Sequence, residues 1–261
     1  MTTTAATRPV GVLLREWRER RRLSQLELSN RTEVSTRHLS WIETGRSRPT
    51  ARMILRIADD LEVPLRERNE MLLAAGFAPA YPQHGLDDPA LADVRGALRA
   101  VLAAHLPHPA LLLDRWWDLV DANAAAATLL AGCAPHLLEP PVNVLRVSLH
   151  PDGLAPRIAN LPQWRAHLLG QVRRRADRTG DARLAALHAE LAAYPGGTDE
   201  APGAGAVVVP LRLRVAGAEL ALFSLAAHVT TAADVTVEEL AVETFHPADA
   251  ATAAALRGLT A

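Results

Sequence analysis

One stretch of this sequence carries polar and basic side chains at a spacing that suits the recognition of nucleic-acid bases. Within residues 24–49, Thr36, Arg37, Ser40 and Trp41 recur at intervals that place them on one side of a helix. An α-helix fits the major groove of DNA, where arginine can bond guanine through two hydrogen bonds and a threonine methyl or an indole can contact a thymine methyl. The pattern therefore predicts a helix face that touches base edges.

Side chains around this face are suited to hold the phosphate backbone. Gln25 begins the preceding helix and would present its amide and the N-terminal N–H groups to a phosphate, while Arg46 and Arg48 follow a turn at Gly45. The predicted DNA-contacting residues are Gln25, Ser35, Thr36, Arg37, Ser40, Trp41, Arg46 and Arg48. The alternative is a plain helical bundle with a solvated basic face, in which Trp41 packs under a neighbouring helix.

Residues able to perform catalysis or ligate a metal do not combine into a site. His105 and His108 have no cysteine or acidic cluster beside them. The segments HPDG and HPAD each place a histidine near an aspartate, without a nucleophile at a matching spacing. No nucleotide-binding fingerprint occurs. We therefore expect neither enzymatic activity nor a metal or cofactor.

Charge divides the 261 residues into a basic N-terminal part and an acidic remainder. Residues 8–56 contain 12 arginines and 5 acidic residues, whereas the rest of the chain has 16 basic and 24 acidic residues. A polyanionic partner is therefore expected for the first part alone. Cys133 is the single cysteine, and no apolar run approaches the ~20 residues of a membrane span, so we expect a cytoplasmic protein without a membrane partner.

Helix-start and helix-stop signals divide residues 8–76 into five short helices. Ser24 and Glu27 have the spacing of a capping box, and Gly45 supplies a left-handed helix stop. The expected buried positions of the second and third helices are Leu26, Leu28, Val34, Leu39 and Ile42. These signals predict an all-α, five-helix N-terminal domain.

A second domain is predicted over residues 91–256, after a linker at 77–90 that is rich in proline, glycine and aspartate. Its fold class is α+β with an antiparallel sheet. The expected elements are a helix at 91–101, a hairpin within 111–120, two helices within 161–194, a hairpin within 206–229 and a strand in the segment VTVEELAVETF.

The N-terminal pattern resembles the helix-turn-helix of the xenobiotic-response-element (Cro/repressor-like) transcriptional regulators. The matching elements are Leu-Ser-Gln at the start of the second helix, Val34-Ser35, Leu39-Ser40, Glu43 with Gly45, and Arg48-Pro49. The resemblance implies base-reading positions at Thr36, Arg37 and Trp41, and phosphate contacts at Gln25 and Arg46. Glu33 departs from the family, whose turn usually has glycine at this position.

Four segments of residues 88–256 resemble the MmyB-like ligand-binding domain of bacterial regulators: LLLDRWWDLVDANAAA, VNVLRVSLHPDGL, LPQWRAHLLGQVRRRA and VEELAVETFHPADAAT. The resemblance implies a PAS-like fold around an apolar cavity and a small lipophilic, fatty-acid-like effector. Candidate ligand-binding residues are Trp116, Trp117, Asn123, Leu145, Trp164, Arg165, His167, Phe223 and Phe245. Core packing is the alternative role for the apolar ones, a helix cap for Asn123, and a surface position for Arg165 and His167.

These patterns together predict a sequence-specific DNA-binding transcriptional regulator whose C-terminal domain senses a small molecule. A homodimer on a near-palindromic operator is expected, because two recognition helices then reach successive major grooves. Repression is expected by analogy. Two alternatives stay open: a C-terminal domain that binds a protein partner or only dimerises, and an enzyme attached to a DNA-binding head.

Overall fold

A computed structural model describes residues 8–197 and 208–259, which form two compact units. The first unit contains the described residues up to Gly85 together with Thr230–Glu238. The second unit contains the described residues of Leu86–Val229 and those from Glu239 onward. The first unit is thus built from two separate pieces of the chain.

Five α-helices form the N-terminal part of the first unit, as predicted: α1 (Val10–Arg20), α2 (Gln25–Thr32), α3 (Thr36–Glu43), α4 (Ala51–Asp60) and α5 (Leu65–Ala74). The expected capping box holds the start of α2, because the Ser24 hydroxyl accepts the N–H of Glu27 while the Glu27 carboxylate accepts the N–H of Ser24. Ser35 and Thr50 cap α3 and α4 without a reciprocal contact, because their hydroxyls accept the N–H groups of His38 and Met53. Gly45, after α3, has the expected left-handed conformation, with φ of 74°.

The core of the first unit contains the predicted apolar residues with one exception. Leu28, Leu39 and Ile42 are almost fully buried, whereas the expectation for Leu26 is wrong, because its side chain is 60% exposed. Residues 26 and 28 lie about 200° apart around a helix, so one face of α2 cannot bury both. Gly11 lets α1 approach α3 closely, since a Cβ atom there would lie 2.1 Å from the carbonyl oxygen of Ile42.

The turn between α2 and α3 keeps a left-handed residue although the sequence supplies no glycine. Glu33 adopts φ 52° and ψ 25° at the C-terminus of α2. Its exposed carboxylate lies 4.0 Å from the Arg56 guanidinium, a separation at which an exposed ion pair contributes little. The left-handed turn is therefore formed by a residue with a Cβ atom, whose backbone conformation is strained.

Replacing Glu33 with glycine is expected to raise the free energy of unfolding by about 0.5–1 kcal/mol. The left-handed conformation costs a residue with a Cβ atom ~1–2 kcal/mol, which exceeds the ~0.5–1 kcal/mol of backbone entropy that glycine loses on folding. Urea denaturation of the full chain, followed by circular dichroism, measures the change. Asn30→Gly, at an exposed position inside α2, is the control and should lower stability; equal destabilisation by both substitutions would contradict the strain at Glu33.

The second unit alternates helices and short strands. Its elements are α6 (Ala92–Ala104), β1 (Ala110–Leu113), β2 (Leu119–Ala122), α7 (Ala124–Leu130), α8 (Val144–Leu149), α9 (Leu161–Thr179), α10 (Ala182–Ala193), β3 (Leu211–Val215), β4 (Ala218–His228), β5 (Ala241–Pro247) and α12 (Ala250–Leu259). Both predicted hairpins and the helix pair broken at Gly180 are present. Residues 206 and 207 of the second predicted hairpin lie outside the described residues.

The five strands found in residues 8–197 and 208–259 join in one antiparallel sheet with the order β2-β1-β5-β4-β3. In the central pairs, Leu112 lies opposite Val242 and Leu225 opposite Thr244. The predicted α+β class with an antiparallel sheet is therefore confirmed. Helices α7 to α10 pack with β3 and β4 around the main apolar core of this unit.

The expectation of one strand across VTVEELAVETF is wrong in its first half. Residues of this segment form the short helix α11 (Val235–Glu239), and β5 begins only at Ala241. Asp234 starts the helix, because its carboxylate accepts the N–H groups of Thr236 and Val237. Across the described ranges, no helix is both long enough and apolar enough to cross a membrane.

Candidate functional sites

The outer face of α3 presents the predicted base-reading side chains. Arg37 and Trp41 are exposed, while Thr36 and Ser40 beside them are half-buried. The Arg37 guanidinium lies 4.6 Å from the ring centroid of Trp41, one helical turn away, in a cation–π contact. The planar guanidinium is thus held against the indole, and its N–H edge remains available for a flat acceptor pair. Trp41 therefore does not pack under a neighbouring helix.

The turn after α3 is folded against the end of that helix and carries two exposed arginines. The backbone N–H groups of Arg46 and Ser47 both donate to the carbonyl oxygen of Trp41. Arg46 and Arg48 project from this turn as exposed side chains. Ser35 lies at the other end of α3, where its hydroxyl accepts the N–H of His38, so this side chain acts as a helix cap.

A buried ion pair connects α3 to α1, and it was not predicted from the sequence. Arg18 of α1 donates from Nε and Nη2 to both carboxylate oxygens of Glu43, at 2.7 and 2.9 Å. Gln25 donates its side-chain amide to the same carboxylate at 2.8 Å. The hydrogen bond to Glu43 raises the pKa of Arg18. Glu43 thus connects α1, α2 and α3, and the amide N–H of Gln25 has a partner inside the unit.

The second unit contains an internal apolar chamber of about 80 Å³. Four of the candidate ligand-binding residues line it, and they come from distant parts of the sequence: Trp117, Leu145, Trp164 and Phe245. The Trp164 indole N–H donates to the hydroxyl of Ser148, which also lines the chamber. Nearly all of the remaining wall is aliphatic, from α7 to α9 and β3. An apolar part of a ligand fits this environment best.

A larger cavity of about 530 Å³ adjoins the chamber, and we name it the basic vestibule. The chamber and the vestibule share Trp117, Gln171 and Glu243 in their walls. Three arginines of α9, Arg174, Arg175 and Arg178, line the vestibule but not the chamber. The two cavities therefore share part of their walls, and the wall of the vestibule carries three arginines beside Asp114 and Glu243.

Burial shifts the pKa of several groups in the vestibule. It raises the pKa of Glu243, against a hydrogen bond with Ser224 that lowers it. Burial also raises the pKa of Asp114, which lies in the same wall. The pKa of Arg175 is held below its usual value by burial and by the neighbouring Arg178, and its guanidinium lies 4.7 Å from the ring centroid of Trp117. Arg175 stays protonated at neutral pH despite this shift.

Five candidate ligand-binding residues lie outside both cavity walls: Trp116, Asn123, Arg165, His167 and Phe223. Trp116 donates its indole N–H to Asp181, and Phe223 stacks on His246. His167 stacks on Trp164 and bonds Gln171, and burial lowers its pKa. None of these three side chains lines a cavity. His167 contacts two residues of the chamber wall, Trp164 and Gln171.

Asn123 and Arg165 have structural contacts that use most of their polar atoms. Asn123 caps α7, accepts the N–H of Ala110 and donates to the carbonyl oxygens of Leu102 and His108. This is the helix-cap role that sequence analysis kept as its alternative. Arg165 is buried, not on the surface, and donates to the backbone carbonyls of Ala192 and Gly197 at the end of α10.

Sequence analysis missed Gln171, the three vestibule arginines and Glu243. The run QVRRRADR on α9 contains a detectable signal, because residues 171, 174, 175 and 178 follow the i, i+3, i+4, i+7 spacing of one helix face. No comparable signal marks Glu243 on β5, where Thr244 and His246 are also polar.

One group of side chains could approach a metal ion. Ligand atoms of His136, His150 and Asp152 lie within 4.8 Å of one another. The Nδ1 atom of His150 accepts the backbone N–H of Asp152 at 3.0 Å, so this nitrogen already has a partner. His136 and Asp152 are exposed, and the group lies outside both cavity walls.

A helix-turn-helix head and a separate unit with an internal cavity define a transcription regulator with a ligand-binding domain. Comparison with protein families agrees with this class: residues 9–71 match a helix-turn-helix domain, and residues 94–259 match the MmyB-like transcription regulator ligand binding domain. The second match covers more than half of the sequence, and the chain belongs to this MmyB-like family. Both matched families are domains of regulators and not of enzymes. No curated protein matches the chain.

Proposed function

We propose that this protein is a bacterial, cytoplasmic repressor of the xenobiotic-response-element class that binds a near-palindromic operator as a homodimer. The exposed face of α3, with Arg37 stacked on Trp41, carries this proposal. The excess of arginine over acidic residues in residues 8–56 supports a polyanionic partner. In a dimer the two α3 helices would enter major grooves about 34 Å apart. Arg46 and Arg48 would hold phosphates at the edge of each groove.

The second unit is proposed to be a PAS-like sensor of a small lipophilic, fatty-acid-like effector. Its antiparallel sheet with helices around an apolar chamber supports this part of the proposal. An effector that binds one conformation of the regulator more tightly shifts the population toward it, and DNA affinity changes by the coupling free energy. Trp117, Leu145, Trp164 and Phe245 would contact the apolar part of the effector.

Native mass spectrometry of the purified full chain tests the oligomeric state and the effector together. A dimer that carries a few hundred daltons of extra mass, lost on denaturation, is expected. A dimer that stays ligand-free, even after incubation with cell lipid extract, would favour the alternative in which the second unit serves dimerisation or a protein partner. A monomer would remove the palindromic operator from the proposal.

Replacing Arg37 with alanine is expected to weaken binding to the operator by about 1–3 kcal/mol and to relax base selection at one position. The reason is the loss of a bidentate contact to a guanine edge. Fluorescence anisotropy with the operator and with operators mutated one base pair at a time measures both effects. An unchanged affinity of Arg37→Ala for the operator would show that α3 reads the groove through other residues.

Arg46→Ala is the matched control, because this arginine is proposed to hold a phosphate. It should weaken binding to all sequences by a similar factor. The slope of log affinity against log salt concentration should become smaller by about one. A change of base selection in Arg46→Ala would contradict the division of roles between the two arginines.

A further inference from the structure

We propose that the short helix α11 connects the effector cavities to the DNA-binding head. Arg115 holds the C-terminal end of this helix, and Glu238 within the helix caps α5 of the head. This inference rests on the proposed function, and it names how the effector site would control DNA binding. A ligand that moves Trp117 would change the contacts that hold α11 and, with them, the capping of α5.

Helix α11 contains residues of both units. Its residues 235–238 lie in the first unit and Glu239 lies in the second, so the border of the units falls within this helix. A helix of five residues makes too few internal hydrogen bonds to be stable alone. The position of α11 therefore depends on the contacts that its side chains make.

The contact on the first-unit side of α11 caps a helix of the head. The Glu238 carboxylate accepts the backbone N–H of Leu65, the first residue of α5, at 2.7 Å. An N–H group at this position has no acceptor inside its own helix, and Pro64 before it provides no side-chain cap. The helix dipole also favours a carboxylate at this end. Glu238 therefore supplies a cap that α5 does not have in its own sequence.

Glu239, at the C-terminal end of α11, is held by the turn that carries Trp117. The Arg115 guanidinium donates from Nη1 to Glu239 at 2.7 Å and from Nη2 to Asp181 at 3.2 Å. The side chains of all three residues are largely buried. Because the loss of one partner from a buried ion pair is strongly unfavourable, a displacement of Arg115 acts directly on the end of α11.

The turn between β1 and β2 joins Arg115 to the cavity walls. The Asp114 carboxylate accepts the N–H groups of Trp116 and Asp118, and the N–H of Asp114 donates to the carbonyl oxygen of Asp118. Trp117 lines both cavities and has a left-handed backbone with φ of 63°, which is strained for a residue with a Cβ atom. A ligand that contacts Trp117 can release this strain. Because hydrogen bonds close the turn, Arg115 then moves with it.

Hydrogen–deuterium exchange of the full chain, read at the Leu65 amide by NMR, tests this connection without a ligand. Glu239→Gln should raise the exchange rate about tenfold or more, because the end of α11 frays and Glu238 loses its position. Arg115→Gln removes the other partner of the same contact and should have the same effect. Glu238→Ala supplies the reference rate for an uncapped α5. Arg146→Gln, which breaks an ion pair elsewhere in the second unit, is the control and should leave the rate unchanged.

Trp117→Ala tests the connection from the cavity wall. It removes a side chain that a ligand would contact, and it should raise the exchange rate at Leu65 about threefold or more in the wild-type background but have little further effect in Glu239→Gln, because the two changes act on the same contact. Leu145→Ala is the matched control. It also removes a side chain from the chamber wall, but it lies outside the turn and should leave the Leu65 rate unchanged.

Unchanged exchange at Leu65 in Glu239→Gln or in Arg115→Gln overturns the inference. An equal effect of Leu145→Ala and Trp117→Ala also overturns it, because the exchange would then report a general loss of stability. The same holds if the effect of Trp117→Ala persists in full in Glu239→Gln. None of these measurements involves a ligand or an operator, so a negative result leaves the proposed function in place. Failure of that function is seen separately, by native mass spectrometry and operator binding.

Discussion

Replacing Glu43 with glutamine is expected to lower the free energy of unfolding of the first unit by about 3–5 kcal/mol, because the substitution removes the buried counter-ion of Arg18 and leaves only the exposed carboxylate of Glu19, 3.6 Å away. The Arg18 and Glu43 side chains are both nearly inaccessible to solvent. Glutamine retains the shape of Glu43 but removes the negative charge that faces Arg18. Since Glu43 also accepts the amide of Gln25, the substitution loosens the packing of α2 and α3 as well.

Urea denaturation of the full chain measures this loss, with operator affinity as a second readout. Glu16→Gln is the control: this carboxylate pairs with Arg8 and Arg20 at the surface of α1 and not with Arg18, and a surface ion pair is worth less than about 1 kcal/mol. The double substitution Arg18→Met/Glu43→Leu should recover much of the lost stability, because a buried ion pair can be replaced by apolar side chains at little cost. Wild-type stability in Glu43→Gln would show that Arg18 does not depend on this partner.

Replacing Trp164 with alanine is expected to lower the stability of the second unit by about 3–5 kcal/mol, the range for removal of a large aromatic side chain from a core. Trp164 is buried, lines the apolar chamber and donates its indole N–H to Ser148. Its removal also enlarges the chamber, so that the vacated space joins the existing one. The variant should therefore be both less stable and able to accept a larger apolar ligand.

Indole added to the variant provides a sharp test, because it can fill the space and restore the hydrogen bond to Ser148. A rise in the melting temperature of Trp164→Ala with indole, absent in the wild type, is expected from binding to the folded state alone. Trp116→Ala is the matched control, since Trp116 is half-exposed and lies outside the chamber. If indole stabilises both variants equally, it does not bind in the space left by Trp164.

The elements of the first unit could be predicted from the sequence because their signals are local. The capping box at Ser24 and the stop at Gly45 act within a few residues, and the structure contains both. The ion pair of Arg18 and Glu43 joins residues 25 positions apart, and nothing in the local pattern separates Arg18 from the exposed arginines around it. The predicted burial of Leu26 was wrong for a related reason, because its apolar character was considered without its angular position on α2.

The ligand site was harder to predict because it is formed by long-range packing. Trp117, Leu145, Trp164 and Phe245 meet only after β5 pairs with β1, which brings residues 245 and 111 to the same end of the sheet. The sequence analysis named Arg165 and His167 as candidates and not Arg174 and Arg175, although all four lie on α9. Only the helical phase of residues 171–178, measured against the rest of the fold, identifies the side that faces a cavity.

The segment Thr230–Glu238 has a practical consequence for genetic dissection of this protein. It connects the end of β4 to the start of β5, yet it belongs to the first unit. Asp234 accepts the backbone and ring N–H groups of His84, and Glu238 accepts the backbone N–H of Leu65. A fragment that ends at residue 85 would lose these acceptors, so a truncated head would be an incomplete domain and its DNA affinity would understate that of the full chain. Removal of the second unit would likewise require cuts after residues 85, 229 and 238 and a splice between residues 85 and 230.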